Sequence, residues 1–331
     1  TGDMMDKIIE ELDRTELNAV VIDVKDDQGR ITYAMDSPTV NEIGACQVFI
    51  QDMPALMAKL KEHGIYTIAR VVAFRDPYLA EQKPEWSLHV ADDKIYRDNK
   101  GLAWVNPYKK EVWDYLVEVG KKAGEVGFDE IQFDYIRFAV DRTMNDVVFD
   151  DGDTQGRNKT QAITEFISYA YDELAKEGLF VSADVFGAIM RSEEDAAAVG
   201  QEYEDMAEHL DYICPMIYPS HYGPGNFGIE YPDTQPYDTI LNALNGSREL
   251  LAASAKDDTP QAVVRPWLQD FTASYLEHYI KYGDEQVRQQ IQAVYDAGYD
   301  QWILWDAGVS YHYGGLLTPE EAAKEDERIA R

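Results

Sequence analysis

Two aspartates stand where the sequence could do chemistry. Asp134 lies in the run Ile131-Gln132-Phe133-Asp134-Tyr135-Ile136-Arg137-Phe138, and Asp184 in Phe180-Val181-Ser182-Ala183-Asp184-Val185-Phe186-Gly187. Strand alternation sends Ile131 and Phe133 to one face and Gln132 and Asp134 to the other. In the second run, Ser182 and Asp184 share a face opposite Val181, Ala183 and Val185. Neighbouring strands lie roughly 4.8 Å apart. As strand neighbours, the two carboxyl groups come within the span of about 5–9.5 Å used by carboxylate pairs in acetal cleavage. Burial and repulsion then raise one pKa and leave the other group ionised. The acid protonates the leaving oxygen while the carboxylate meets the developing oxocarbenium charge. The structural alternative for Asp134 is an ion pair with Arg137 or Arg70, since a buried carboxylate needs a partner.

Other polar residues end similar apolar runs. Asp23 and Lys25 close NAVVIDVK, and Arg70 lies within GIYTIARVVAF. Tyr218, Ser220 and His221 close residues 211–222, Gln269 and Asp270 close 261–271, and Trp305 and Asp306 close 301–308. Asp270 is a third carboxylate suited to stabilising a transition state. Asp23, Lys25, Arg70, Arg137, Tyr218, His221, Gln269 and Asp306 are expected to shape the site. Lys25, beside Asp23, Asp26 and Asp27, reads as ion-paired rather than as a Schiff-base lysine. Phe74, Trp104, Tyr135, Tyr218, Tyr222, Trp267 and Trp305 could form a platform for sugar rings, or pack in the core.

These positions need a frame, and the chain supplies one. Seven Val-, Ile- and Phe-rich runs begin near residues 18, 64, 128, 180, 211, 261 and 301. Such runs suit strands buried on both faces of a parallel sheet. Between them are helical patterns. Val112, Tyr115, Leu116, Val119 and Ala123 form one, expected to end at Gly124 and Gly127. Ile163, Phe166, Ile167, Ala170, Tyr171 and Leu174 form another. Met5, Ile8, Ile9 and Leu12 mark a helix at the start, and Val287, Ile291 and Val294 one before Gly298. Thr318-Pro319-Glu320-Glu321 is a capping box.

Strands alternating with helices imply βαβ units. The fold expected is an α/β (β/α)8 TIM barrel, residues 1–331 forming a single domain. Seven runs leave the first barrel strand upstream of Thr1 or unrecognised, and the seven then count as strands 2 to 8. No GxGxxG or GxxxxGK[ST] motif supports an open nucleotide-binding sheet. Residues 26–50, 75–107 and 139–158 read as loops inserted after strand ends, the first with a hairpin signal around Gly29 and Tyr33.

Composition narrows the function further. The 331 residues carry 30 Lys+Arg and 62 Asp+Glu, a net charge of −32, yet 45% are hydrophobic and 12% aromatic. This is a folded acidic chain, with no basic stripe for nucleic acid. The charge also disfavours anionic membranes and highly anionic substrates. It fits an extracellular, cell-surface or salt-adapted bacterial setting, with a cytoplasmic one still open. No leader segment precedes the first helix, and no run is apolar enough to span a membrane. The two cysteines, Cys46 and Cys214, exclude a disulfide framework, and Cys214 is expected to be buried and inert. None of the six histidines forms HxH or HExxH, and no GxSxG elbow occurs, so no metal or cofactor is expected. Asp150-Asp151-Gly152-Asp153 lacks EF-hand spacing and reads as a solvated loop.

NAVVIDVKDDQGRITY, ARVVAFRDP, GFDEIQFDYIRF and WLQDF resemble, in order and over nearly the whole chain, a bacterial family of proposed glycoside hydrolases long filed as a domain of unknown function. FDYIRF is the most specific of these elements. More distantly they resemble the α-amylase type of barrel. The resemblance implies a TIM barrel with a strand before the first helix. It also implies that a strand-4 carboxylate is the nucleophile and a strand-5 carboxylate the acid/base, which correspond to Asp134 and Asp184. Two features depart from amylases. The strand-5 residue is Asp rather than Glu, and the arginine follows the strand-4 Asp by three positions instead of preceding it by two. Retention or inversion is therefore left open. The expected protein is a monomeric glycoside hydrolase acting on a neutral or cationic poly- or oligosaccharide. The rival reading is a non-catalytic carbohydrate-binding barrel.

Overall fold

The structure, a computed structural model, describes residues 2–329. All seven apolar runs form parallel strands. They are β1 (Ala19–Lys25), β2 (Tyr66–Val72), β3 (Glu130–Asp134), β4 (Phe180–Phe186), β5 (Tyr212–Met216), β6 (Trp267–Gln269) and β7 (Ile303–Trp305). They correspond to the runs counted above as strands 2 to 8. Among the described residues, no strand precedes the first helix, α1 (Gly2–Arg14). The principal later helices are α2 (Met53–Glu62), α3 (Lys110–Val126), α4 (Lys159–Ala175), α5 (Pro236–Ser254), α6 (Asp284–Asp296) and α7 (Pro319–Ile329). The fold is α/β, with the strand–helix alternation of TIM-barrel enzymes.

The chain divides into two compact units. The first comprises residues 19–185 and 193–211. In it β1, β2, β3 and β4 pair in parallel, with Asp23 opposite Arg70, Arg70 opposite Gln132, Val72 opposite Asp134, and Phe133 opposite Ala183. The hairpin expected around Gly29 is present: Ile31–Tyr33 returns antiparallel to β1, and Cys46–Ile50 pairs beyond it. Alternation decides the faces. Phe133 packs edge-on against Phe166 of α4, at 5.3 Å between ring centres, so Gln132 and Asp134 point away from the helices.

Gly127, with φ +119°, ends α3 in the left-handed conformation that glycine tolerates. Gly124 does not end the helix, contrary to expectation. It lies inside α3, where a Cβ would stand 2.7 Å from a Leu179 methyl, so the glycine serves close packing. Two of the inserted loops join each other. His89–Val90 pairs with Lys94–Ile95 on one side and with Val147–Val148 on the other, in a small antiparallel sheet.

The second unit comprises residues 2–18, 186–192 and 212–329. In it β5 pairs with β6 and β6 with β7, placing Gln269 opposite Trp305. Ile9 and Leu12 bury one side of α1, and Val287, Ile291 and Val294 that of α6. The capping box forms: Thr318 and Glu321 exchange hydrogen bonds. Cys214 is fully buried. No described helix is long and apolar enough to cross a membrane.

Candidate active site

Asp134 is the last residue of β3, and its side chain keeps 12% exposure. Oδ2 accepts hydrogen bonds from Arg70 Nε at 2.9 Å and Nη2 at 2.6 Å. Oδ1 accepts the Tyr135 backbone N–H at 2.6 Å. Tyr135 sits at φ +49°, a left-handed conformation that costs a bulky residue roughly 1–3 kcal/mol. The ladder holds it there, because the Asp134 and Tyr135 carbonyls accept from the amides of Ala73 and Phe74 at 2.7 and 3.1 Å.

Arg70 is shared among three carboxylates. Besides Asp134, its Nη1 reaches Asp23 at 2.9 Å, and its Nη2 reaches Asp27 at 3.3 Å. Burial alone would lower its pKa, but Asp134, Asp23 and Asp27 outweigh burial and hold it well above the ordinary value. Asp23 is pushed up. Burial of its surroundings is the main cause, with Asp27 and Asp134 adding repulsion that Arg70 only partly offsets. Half of the Asp23 side chain is nonetheless exposed. A partly exposed carboxyl with a raised pKa beside a second carboxylate can do acid/base chemistry.

Arg75 closes the cluster. It donates to Asp27 at 2.5 Å and to the Tyr135 hydroxyl at 2.6 Å, and its guanidinium lies 3.7 Å from the Tyr135 ring centre. Arg137 is set among aromatic rings. Its guanidinium lies 5.1 Å from the ring centres of both Trp104 and Tyr135 and donates to the Phe138 carbonyl. Burial lowers its pKa to about 10.

Asp184 is 2% exposed on β4. The pairings Gln132–Ser182 and Phe133–Ala183, continued one residue, set Asp184 level with Asp134 on the adjacent strand. Below them, Glu130 is wholly buried and accepts from Ser182 Oγ at 2.5 Å and Tyr66 Oη at 2.9 Å.

Several expected contacts are corrected. Lys25 is fully buried. Its partner is Asp76, at 2.7 Å, rather than the adjacent aspartates, and it also donates to the Val72 carbonyl at 2.6 Å. It has no surface to offer a substrate. Phe74 is likewise fully buried, edge-on to Phe166 at 5.3 Å, in the core and not on a platform. Trp104 is 2% exposed, donates to Asp98 at 3.0 Å and meets Tyr135 edge-on, so its face is not open for stacking. Asp27, Arg75, Asp76 and Glu130 were not among the expected residues. Asp27 and Arg75 follow strand ends, and Glu130 continues the Gln132–Asp134 alternation. Only those placements could have signalled them.

In the second unit, Trp305 is 38% exposed and its ring centre lies 5.5 Å from Tyr218 and 5.3 Å from Phe271. Tyr218, 8% exposed, also meets His221 at 5.2 Å. Burial lowers the His221 pKa. Trp267 lies in the core. Gln269 is also corrected. It is wholly buried, donating to Asp233 and the Phe271 carbonyl and accepting from the Ser220 amide, so it braces the strand ends and meets no solvent. Asp306 accepts the Ser310 amide at 2.8 Å. The Asp270 side chain has no exposed surface and binds His312, so the expected direct contact with a reacting sugar is not open to it. Among the described residues, no group of three or more His, Cys, Asp or Glu is placed to hold a metal ion.

No curated protein matches the chain significantly. Solved structures do. A hypothetical protein from Ruminiclostridium thermocellum ATCC 27405 is 38% identical, over 56% of this chain and 92% of its own, with a TM-score of 0.51. The PgaB (BpsB) glycoside hydrolase domain from Bordetella bronchiseptica is 10% identical, over 92% of this chain and 88% of its own, with a TM-score of 0.63. The spore cortex-lytic enzyme SleL from Bacillus megaterium QM B1551 is 12% identical, over 95% and 69%, with a TM-score of 0.53. The last two likenesses carry the fold alone, that of TIM-barrel glycoside hydrolases. The family model described as "Putative glycosyl hydrolase domain" matches residues 1–311. Family and fold together support a glycosidase-type function, and the chain belongs to this glycosyl hydrolase domain family.

Proposed function

We propose that this chain hydrolyses O-glycosidic bonds of a poly- or oligosaccharide, with Asp134 and Asp184 as its carboxylate pair. The observation that carries the reading is the parallel pairing of their strands, in register as far as Phe133 and Ala183, the residues directly before the two aspartates. Asp134 accepts three N–H donors, which suits a nucleophile or base. Asp184 is then the acid, with Asp23 as the competing candidate because its pKa is raised. Strain at Tyr135, next to Asp134, supports a functional role over a purely structural one.

The net charge of −32 favours a neutral or cationic glycan and an extracellular or cell-surface setting. The family match over residues 1–311 supports treating the chain as one domain, and nothing in the reading requires more than a monomer. One observation favours the rival, a non-catalytic sugar-binding barrel: both oxygens of Asp134 are already engaged. Release of reducing ends from a polysaccharide panel, with Asp134→Asn as control, decides. Hydrolysis by the native chain and not by the variant supports the enzyme. Sugar binding without release supports the binder.

A further inference from the structure

Asp270 and His312 form a pair that neither strand patterning nor motif spacing reveals. Asp270 follows β6 directly, and its side chain has no exposed surface. Both of its oxygens are committed to one residue. Oδ1 lies 2.5 Å from His312 Nδ1, and Oδ2 accepts the His312 backbone N–H at 2.9 Å. The imidazole itself keeps 37% exposure, and Nε2 has no partner among the described residues. A buried carboxylate on Nδ1 fixes the neutral ring in one tautomer, with the Nε2 lone pair outward.

The segment carrying His312 is held at several points. Asp306 accepts the Ser310 amide, and the exposed, β-branched Val309 sits at φ +53°. Arg288 donates to the Gly315 carbonyl at 2.9 Å. A Cβ on Gly314 would stand 2.3 Å from an Asp284 oxygen. An outlier such as Val309 persists only where its surroundings over-determine it. The pair is also joined to the exposed aromatics. The Asp270 amide donates to the Trp305 carbonyl at 3.0 Å, and Phe271, the next residue, packs edge-on against the Trp305 ring.

We propose that His312 is a sugar-contacting residue, whose Nε2 accepts a hydrogen bond from a substrate hydroxyl, and that Asp270 is the positioning residue that aims it. The proposal rests on the glycosidase reading but uses no residue of the Asp134 cluster.

The test uses the full chain carrying Asp134→Asn, so that a bound sugar persists. Histidine 15N spectra are recorded at a pH where the ring is neutral, during titration with cellopentaose, maltopentaose and chitopentaose. The expected result is an Nδ1–H tautomer in the free protein and a shift of the His312 Nε2 resonance with at least one sugar. His312→Phe, which keeps a ring but removes the acceptor, should weaken that sugar's binding about tenfold. Asp270→Asn should change the tautomer and weaken binding similarly. The proposal is overturned if no sugar moves the Nε2 resonance, or if His312→Phe binds as tightly as its parent. The wild-type resonance needs no folded variant at position 312. Failure of the hydrolysis reading is a separate result, seen when Asp134→Asn still releases reducing ends.

Discussion

Arg70 places two of its N–H donors on a single oxygen of Asp134, from the neighbouring strand. In the amylase-like pattern an arginine precedes the strand-4 carboxylate by two positions. Here that position is Gln132, and Arg70 is the residue paired beside Gln132 in the β2–β3 register. The guanidinium thus comes from the adjacent strand. Arg137, which the chain order singles out, has its guanidinium 5.1 Å from the ring centres of both Trp104 and Tyr135.

Asp134→Asn should lower kcat/KM by about 10²–10³ or more, because the amide keeps the shape but loses the charge that the transition state requires. The melting temperature should fall as well, since Asn offers one acceptor oxygen to the donors of both Arg70 and Tyr135, so turnover is the readout that decides. Turnover near the native level in a destabilised variant would show the residue to be structural.

The identity of the acid separates by leaving group. Asp184→Asn should retain far more rate on aryl glycosides, whose departure needs little protonation, than on natural glycans. If Asp23→Asn shows that rescue and Asp184→Asn does not, the acid is Asp23. An Asp134→Asn variant alone showing it would exchange the roles of the pair.

The raised pKa of Asp23 also makes a stability prediction. Folding favours the protonated form, so the native chain loses stability as pH rises from the unfolded carboxylate range through the raised folded value. Asp23→Asn removes that loss. Its melting temperature relative to the native chain should be higher at pH 7 than at pH 3.5. A difference that is constant across this range would refute the assignment.

Lys25 and Asp76 test the core. Lys25→Met leaves a buried carboxylate unpaired and should cost about 3–5 kcal/mol in urea unfolding, while Lys25→Met with Asp76→Leu should recover much of it. Gly29→Ala should act on the same pair. At φ +82° its Cβ would stand 1.8 Å from an Asp76 oxygen, so the variant should be destabilised by a comparable amount. Single and double variants of equal stability would rule the coupling out.

The fold was legible because its strands are continuous apolar runs, and all seven lie where the pattern put them. Asp134 and Asp184 were legible for the same reason, since period-two alternation fixes which side chains leave the helices. The partners were not. Arg70 against Arg137 is a matter of register between strands about sixty residues apart, and Asp270 with His312 depends on how the chain returns 42 positions later, past α6 and β7. Burial misled the aromatic reading in turn. Phe74 and Trp104 stand near strand ends, yet a strand end within a packed layer is still interior.

The three-stranded patch that ties residues 89–95 to 147–148 has a consequence for how this chain can diverge. The two loops follow different parallel strands, yet each supplies the edge that the other pairs with. Lengthening or trimming one alone strips backbone partners from its mate. Changes in the two should therefore be inherited together. A designer seeking altered specificity would have to transplant them as one cassette.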